Sequence, residues 1–197
     1  MPHPAEEIVA VGKLMFQRRL TDIAGGNISL RLDDRIYITP TGAGQKYLWN
    51  LQPDQILQAP IATDELLEDP NHSKESISHL LVYRAFPVVK AIIHAHPFHV
   101  MPFCAAEIPL RAVINAAKVY GKQFDMINEM PAYSPQQGEE IVAWLRQRED
   151  RIEKFAAGVL IPRHGVFIAA HTMLKALDCL ERMDTNAFCV LSQKSLL

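Results

Sequence analysis

Hydrophobic positions recur along this chain with two periods, three to four residues in some stretches and two in others. The switches between them divide it into helices and strands. From Glu6 to Arg19, Ile8, Val11, Leu14 and Met15 form a helical stripe. Gly25-Gly26-Asn27 breaks it. Ile28, Leu30 and Leu32 then alternate with Ser29, Arg31 and Asp33, the pattern of a half-buried strand. Asp33-Asp34 makes a turn, and Arg35 to Thr39 returns as the second strand of a hairpin. Pro40 to Gly44 predicts a loop and Pro53 to Ile56 a short helical turn. Residues 57–74 predict irregular chain or an edge strand, with a turn at Asp69 to His72. Ser73 is the expected N-cap of a helix from about Lys74 to Phe86, carried by Ile77, Leu80 and Leu81.

The second half continues the alternation. Val88 and Val89 lead into Ala91-Ile92-Ile93-His94-Ala95-His96, a strand closed by Pro97, and a helix follows. Leu110 to Ile114 suits either a strand or the start of a helix. Gln123 to Ile127 predicts a strand, and Pro135 to Arg148 a helix with Ile141, Trp144 and Leu145 inward. Gly158 to Pro162 and Gly165 to Ala170 are apolar strands joined by a tight Arg163-His164-Gly165 turn. Thr172 to Gln193 predicts a long helix, with Leu174, Leu177, Cys179, Leu180, Met183, Ala187 and Val190 on its inner side. Interleaved helices and short strands imply an α/β sandwich around a mixed sheet. With neither repeat nor linker, residues 1–197 are expected to form one domain.

Composition narrows the partners. A net charge of −2 gives no footprint for nucleic acid or a membrane surface. Met1 to Glu7 carries no basic region followed by an apolar stretch, so no signal peptide is expected. No apolar run reaches the ~20 residues of a membrane span. Cys104, Cys179 and Cys189 are odd in number and lack metal-type spacing, which argues against a disulfide framework and for a reducing cytoplasm.

The candidate chemistry begins at His94 and His96. Side chains two apart on a strand share a face, ~7 Å apart along it, and two imidazoles there can reach one metal ion. His164, in the tight turn, would complete a three-histidine set, the pattern of catalytic zinc with an open fourth position. Imidazoles also accept other first-row metals. Glu75, at the start of its helix, is the candidate carboxylate for moving protons. His79, one turn later, is expected to pack or support rather than ligate. His99 offers a rival His-x-His-x-x-His set, which ranks lower because Pro97 turns the chain away. The Gly25-Gly26-Asn27 and Thr39-Pro40-Thr41-Gly42 loops can form an anion cradle. Ser73 and Lys74 can add a hydroxyl, an N–H and a positive charge.

Together these stretches resemble the class II aldolase/adducin family. The match lies in Gly25-Gly26-Asn27-Ile28-Ser29, Ile38-Thr39-Pro40-Thr41-Gly42, Glu75 with His79 and Tyr83, Ala91 to Pro97, and Arg163-His164-Gly165-Val166. The resemblance implies a three-layer α/β/α fold around a mixed, largely antiparallel sheet, in a homotetramer with its active site at a subunit boundary. It implies that His94, His96 and His164 bind zinc, with manganese, cobalt or iron as alternatives. It gives Glu75 the catalytic role and Gly26, Asn27, Thr41, Gly42 and Ser73 the substrate phosphate. Lys74 stands where the aldolases often have a second serine, and could favour a different anion such as a carboxylate. The activity implied is retro-aldol cleavage of a short ketose phosphate through a metal-stabilised enediolate. Relatives with the same site act as decarboxylases, pentulose-phosphate epimerases or dehydratases, and a non-catalytic, adducin-like scaffold is a further reading. The aldolases move the proton on the oxygen of the aldehyde fragment with a tyrosine from a neighbouring subunit, and the corresponding Leu110 to Ile114 contains none. A further aldolase tyrosine lies in a C-terminal tail that this sequence, ending at Leu197, is expected to lack; Tyr120 and Tyr133 are possible substitutes.

Overall fold

The computed structural model describes residues 3–193, so the expectations for Met1-Pro2 and for the end at Leu197 lie outside the described residues. Helix α1 (Pro4–Gln17) opens on His3, whose Nδ1 accepts from the Ala5 N–H, with Pro4 in the first turn where its missing N–H costs nothing. Strands β1 (Asn27–Leu32) and β2 (Arg35–Ile38) form the hairpin. Where a loop was expected, Gly42 leads into a short helix, α2 (Ala43–Tyr47). The 57–74 stretch resolves into an edge strand, β3 (Leu57–Pro60), and one turn of helix, α3 (Glu65–Glu68). Helix α4 (Ser76–Ala85) begins later than expected. Strand β4 (Ala91–Ala95) is followed by α5 (Met101–Ala106). The Leu110 to Ile114 ambiguity is settled as a strand of two residues, β5 (Leu110–Arg111), which leads to α6 (Asn115–Lys118) and pairs with β6 (Gln123–Phe124). Helix α7 (Pro135–Arg146) is capped by Ser134, whose Oγ accepts from the Gln137 N–H. A short helix that the apolar pattern did not reveal, α8 (Glu149–Lys154), precedes β7 (Ala157–Ile161), β8 (Gly165–Ala170) and α9 (Met173–Gln193).

Among the described residues, six strands form one sheet in the order β3-β2-β1-β4-β8-β7. Its ladders are all antiparallel, and the parallel component is a single isolated bridge between Met126 and Leu160. Successive side chains alternate faces, so the sheet feeds two cores. Ile28, Leu30, Ile93 and Ile168 meet Met15, Leu180 and Met183 of α1 and α9. Ile36, Ile38, Ile92 and Phe167 meet Leu80, Val82 and Ile141 of α4 and α7. The result is three layers, α/β/α. β4, β7 and β8 are buried along their whole length, which is why they read as continuous apolar runs. Leu174 departs from its expected inward position and is 74% exposed. It lies one residue off the Met173, Leu177, Leu180 stripe that faces the sheet. Trp144 is likewise only partly buried; its ring lies under the Arg148 guanidinium at 4.2 Å.

Candidate metal centre and its carboxylate

Sheet register brings the pieces together. Asn27 of β1, His94 of β4 and Phe167 of β8 lie side by side across the sheet. Directly opposed residues share a face, so His94 points toward α4. His96 lies just past the end of β4 rather than in it. His164 occupies the three-residue turn between β7 and β8. That turn is held by the Arg163 N–H on the Cys104 carbonyl at 2.8 Å, and by ion pairs from Arg163 to Glu107 and Glu129. One ligand atom from each of His94, His96 and His164 lies within 4.8 Å of the others.

Two of the rings, His94 and His96, are oriented by their other nitrogen. His94 Nδ1 donates to the Val166 carbonyl at 3.0 Å, and His96 Nδ1 to Asp22 Oδ1 at 3.1 Å. A donor hydrogen on Nδ1 leaves Nε2 as the inward atom, the arrangement that metal-ligating histidines use. Asp22 Oδ1 also accepts from the Ala24 and Gly25 N–H groups, tying His96 to the glycine loop. His96 Nε2 and His164 Nδ1 are buried without a partner. Burial lowers the pKa of both rings, His94 nearby adds to it, and His164 falls to about 4. Neutral imidazoles with unengaged lone pairs fit a divalent cation, which must be bound by deprotonated ligands.

The packing around His96 leaves no room for side chains. A Cβ on Gly25 would sit 2.5 Å from His96 Cε1, and one on Gly165 2.5 Å from the Ala95 carbonyl oxygen and 2.7 Å from His96 Cδ2. Gly165→Ala should therefore force β4 and β8 apart at the site. The expected cost is about 1–3 kcal/mol of overpacking, with Tm falling by about 2–4 °C per kcal/mol in a chain of this size. Calorimetry and metal analysis check it; an unchanged Tm with full metal loading would refute the steric argument.

Glu75 is 2% exposed and is the cap residue of α4 rather than part of its first turn. Its Oε2 meets His94 Nε2 at 2.9 Å and accepts from Asn27 Nδ2 at 3.0 Å. Its Oε1 accepts from Gln137 Nε2 at 3.1 Å and lies 3.6 Å from His164 Nε2. Burial by itself would raise its pKa. The charge and hydrogen bond of His94, the charge of His164 and the hydrogen bond from Asn27 outweigh that and hold the carboxyl well below the usual range.

Behind it runs a chain of hydrogen bonds whose direction is fixed by its ends. Asn27 Nδ2 donates to the carboxylate, so its Oδ1 must accept, and His79 Nε2 donates to it. Burial depresses His79 to about 3, so its ring is neutral. Its Nδ1 therefore accepts from the Ser29 hydroxyl at 2.6 Å, and Ser29 accepts from the Tyr83 hydroxyl at 2.9 Å. His79 thus supports and does not ligate. His99 is not a ligand either: its Nδ1 and backbone N–H both engage the Asp184 carboxylate, at 2.7 and 2.8 Å.

A cavity of about 240 Å³ opens on this group, lined also by Gly26, Asn27, Thr41, Gly42, Ser73 and Lys74. Asn27 is 3% exposed, and its amide is fully engaged with Ser73, Glu75 and His79. Ser73 Oγ accepts from Asn27 Nδ2 at 3.1 Å, leaving its own hydrogen for a ligand. Lys74 is exposed, with its ammonium 5.5 Å above the Tyr133 ring. Sequence reasoning missed Asp22, Gln137 and the placement of Tyr133 at this cavity. An Asp three residues before a glycine turn was a usable signal for the first. Gln137 carried none.

The Class II Aldolase and Adducin N-terminal domain family matches residues 6–191. The chain belongs to this family. A 3-oxo-tetronate 4-phosphate decarboxylase of Haemophilus influenzae is 29% identical to it over 185 residues, covering 92% of this chain and 84% of that protein. An L-fuculose phosphate aldolase of Methanococcus vannielii is 25% identical over 171 residues, covering 87% and 86%. The solved L-fuculose-1-phosphate aldolase of Thermus thermophilus shares the fold with a TM-score of 0.78 at 21% identity, over 98% of this chain and 94% of that one. Among the described residues no helix is long and apolar enough to cross a membrane.

Proposed function

We propose that this class II aldolase-like protein is a divalent-metal lyase that cleaves a short ketose phosphate by retro-aldol chemistry. The observation that carries the reading is the convergence of three histidines on one point with an ionised, buried carboxylate beside them. His94, His96 and His164 would hold the ion, zinc first with manganese, cobalt or iron as alternatives, and a cation there supplies Lewis-acid stabilisation of negative charge on a substrate oxygen. Glu75 removes a proton from the carbon beside the carbonyl, and returns it in the cleavage direction. Asn27 and Gln137 clamp its two oxygens, so it reacts from one fixed position. Gly26, Thr41, Gly42 and the Ser73 hydroxyl hold the phosphate, and Lys74 adds positive charge. A cavity of about 240 Å³ is smaller than drug-sized sites of ~300–1,000 Å³, which suits a short substrate.

Decarboxylation is the second reading. The stretch Leu110 to Ile114 lacks a tyrosine, Lys74 suits a carboxylate, and the Haemophilus influenzae relative carries that name. A non-catalytic scaffold would have no use for an intact set of His94, His96, His164 and Glu75. Zinc-loaded protein should be offered L-fuculose 1-phosphate and 3-oxo-tetronate 4-phosphate, with the products analysed. Dihydroxyacetone phosphate and an aldehyde support the first reading and CO2 the second; absence of both turnover and stoichiometric metal ends both.

A homotetramer in a reducing cytoplasm belongs to the same proposal. Phe98, Ile108 and Phe188 are each more than half exposed, and an apolar cleft containing Phe98, Met101 and Leu191 opens beside His96. Cys104 and Cys179 are buried free thiols. Light scattering should return four times the chain mass of 22.2 kDa, and a monomer at working concentration would remove the tetramer.

A further inference from the structure

Two proton movements are needed to make or break the bond in an aldol reaction, and Glu75 accounts for one of them. We infer that Tyr133 is the catalytic residue for the other, acting from within the same chain on the oxygen of the leaving carbon. The inference rests on the retro-aldol reading above.

Tyr133 lines the same cavity as Glu75 and the three histidines. Its ring meets His164 edge-on, with centroids 5.4 Å apart and planes at 80°. It also bounds a second cavity, of about 550 Å³, that contains Met130, Pro131 and Arg163. A substrate anchored by its phosphate in the first cavity and extending toward the second would therefore pass the phenol. Besides Glu75, the histidines and the anion-holding loop residues, the polar side chains among the described residues of this wall are Gln45, whose amide is no acid, and Tyr133. A phenol is a far better acid than the alkyl hydroxyls of Thr41 and Ser73. Lys74 stands 5.5 Å over the ring, where its charge stabilises the phenolate left after transfer.

The backbone places Tyr133 at a cost. The Ser134 N–H and hydroxyl both donate to the Pro131 carbonyl, at 3.3 and 2.6 Å, closing a turn with Tyr133 at its third position. There φ is +65°, a conformation that favours glycine or asparagine and costs another residue about 1–3 kcal/mol. Ser134 caps α7, and Gln137 in that helix's first turn clamps Glu75. One short segment therefore fixes both proton-moving groups relative to each other.

The chemistry balances without a further reactant. In the direction of bond formation, the Glu75 carboxylate takes a carbon-bound proton from the keto fragment. The electron pair of that C–H bond forms the new C–C bond to the aldehyde carbon. The aldehyde oxygen gains the π pair and takes the phenolic proton of Tyr133. Solvent then restores both groups, and cleavage is the reverse.

Tyr133→Phe tests this, because phenylalanine keeps the ring contacts with His164 and Lys74 and removes only the hydroxyl. Zinc-loaded enzyme should be followed in three ways: metal content, exchange of the carbon-bound hydrogens of dihydroxyacetone phosphate in D2O by NMR, and cleavage of L-fuculose 1-phosphate. We expect full metal, exchange at the wild-type rate, and kcat for cleavage lower by ~10²-fold or more with KM little changed. Normal cleavage by Tyr133→Phe overturns the role alone. Equal loss of exchange and cleavage also overturns it, since the residue would then be supporting Glu75. A wild-type enzyme that neither exchanges nor cleaves, or that releases only CO2, overturns the role together with the retro-aldol reading.

Discussion

His94→Ala should yield protein with sub-stoichiometric metal and no measurable turnover above background. His94 is one of three converging imidazoles, and two are fewer than the three protein ligands that hold a catalytic zinc. The same ring holds two other groups in place. Its Nδ1 donates to the Val166 carbonyl in β8, and its Nε2 faces Glu75 Oε2 at 2.9 Å. Truncation therefore leaves a buried carbonyl and part of a buried carboxylate without partners, at about 1–3 kcal/mol for an unsatisfied group. The loss in rate should exceed the ~10²–10⁴-fold of proton transfer alone, because the charge-stabilising cation goes as well. Elemental analysis of purified variants is the direct check. His99→Ala is the matched control, since His99 is paired with Asp184, and it should keep its metal. A His94→Ala protein with a full equivalent of metal would mean that a different set of residues binds it.

Glu75→Gln should separate metal binding from catalysis. The three histidines are untouched, so the metal stays, while turnover falls by ~10²-fold or more with the loss of the proton carrier. The site also predicts a stability penalty for this near-isosteric change. Both carboxylate oxygens accept from amide donors, Asn27 on Oε2 and Gln137 on Oε1. A glutamine amide has one acceptor and one donor end. Whichever way it turns, its NH2 faces another NH2, and one buried donor loses its acceptor at about 1–3 kcal/mol. Parallel measurements of metal content, Tm and kcat resolve the three effects. Unchanged kcat would remove Glu75 from the chemistry. Unchanged Tm would mean that the clamp by Asn27 and Gln137 is weaker than its geometry suggests.

The positions that could do chemistry were legible in the sequence because each sits in a local pattern with a physical cause. His94 and His96 end an apolar run stopped by proline. His164 interrupts two apolar strands at a turn, and Gly25-Gly26 and Gly42 mark loops where backbone must pass close to something. The α/β class followed from the alternation of periods alone. Boundaries were less legible. The helix that Ser73 was expected to cap begins at Ser76, because the Ser73 hydroxyl is drawn to Asn27 and Glu75 turns inward to meet His94. Periodicity implied only a mixed sheet; its largely antiparallel character came from the family resemblance, and among the described residues the ladders are antiparallel with one isolated parallel bridge. Strand direction depends on how connections cross the sheet, which periodicity does not record.

Local pattern thus determined which side chains carry reactive groups and where the chain must turn, since propensity, capping and burial act over a few residues. Only the tertiary structure decided what those groups meet. The register that sets Asn27 beside His94, the approach of Asp22 to His96, the amide of Gln137 on Glu75 and the ring of Tyr133 against His164 all join residues that are distant in the chain. Such meetings are chosen by how sheet and helices pack as a whole, and packing is a property of the assembled layers, not of any one stretch of sequence.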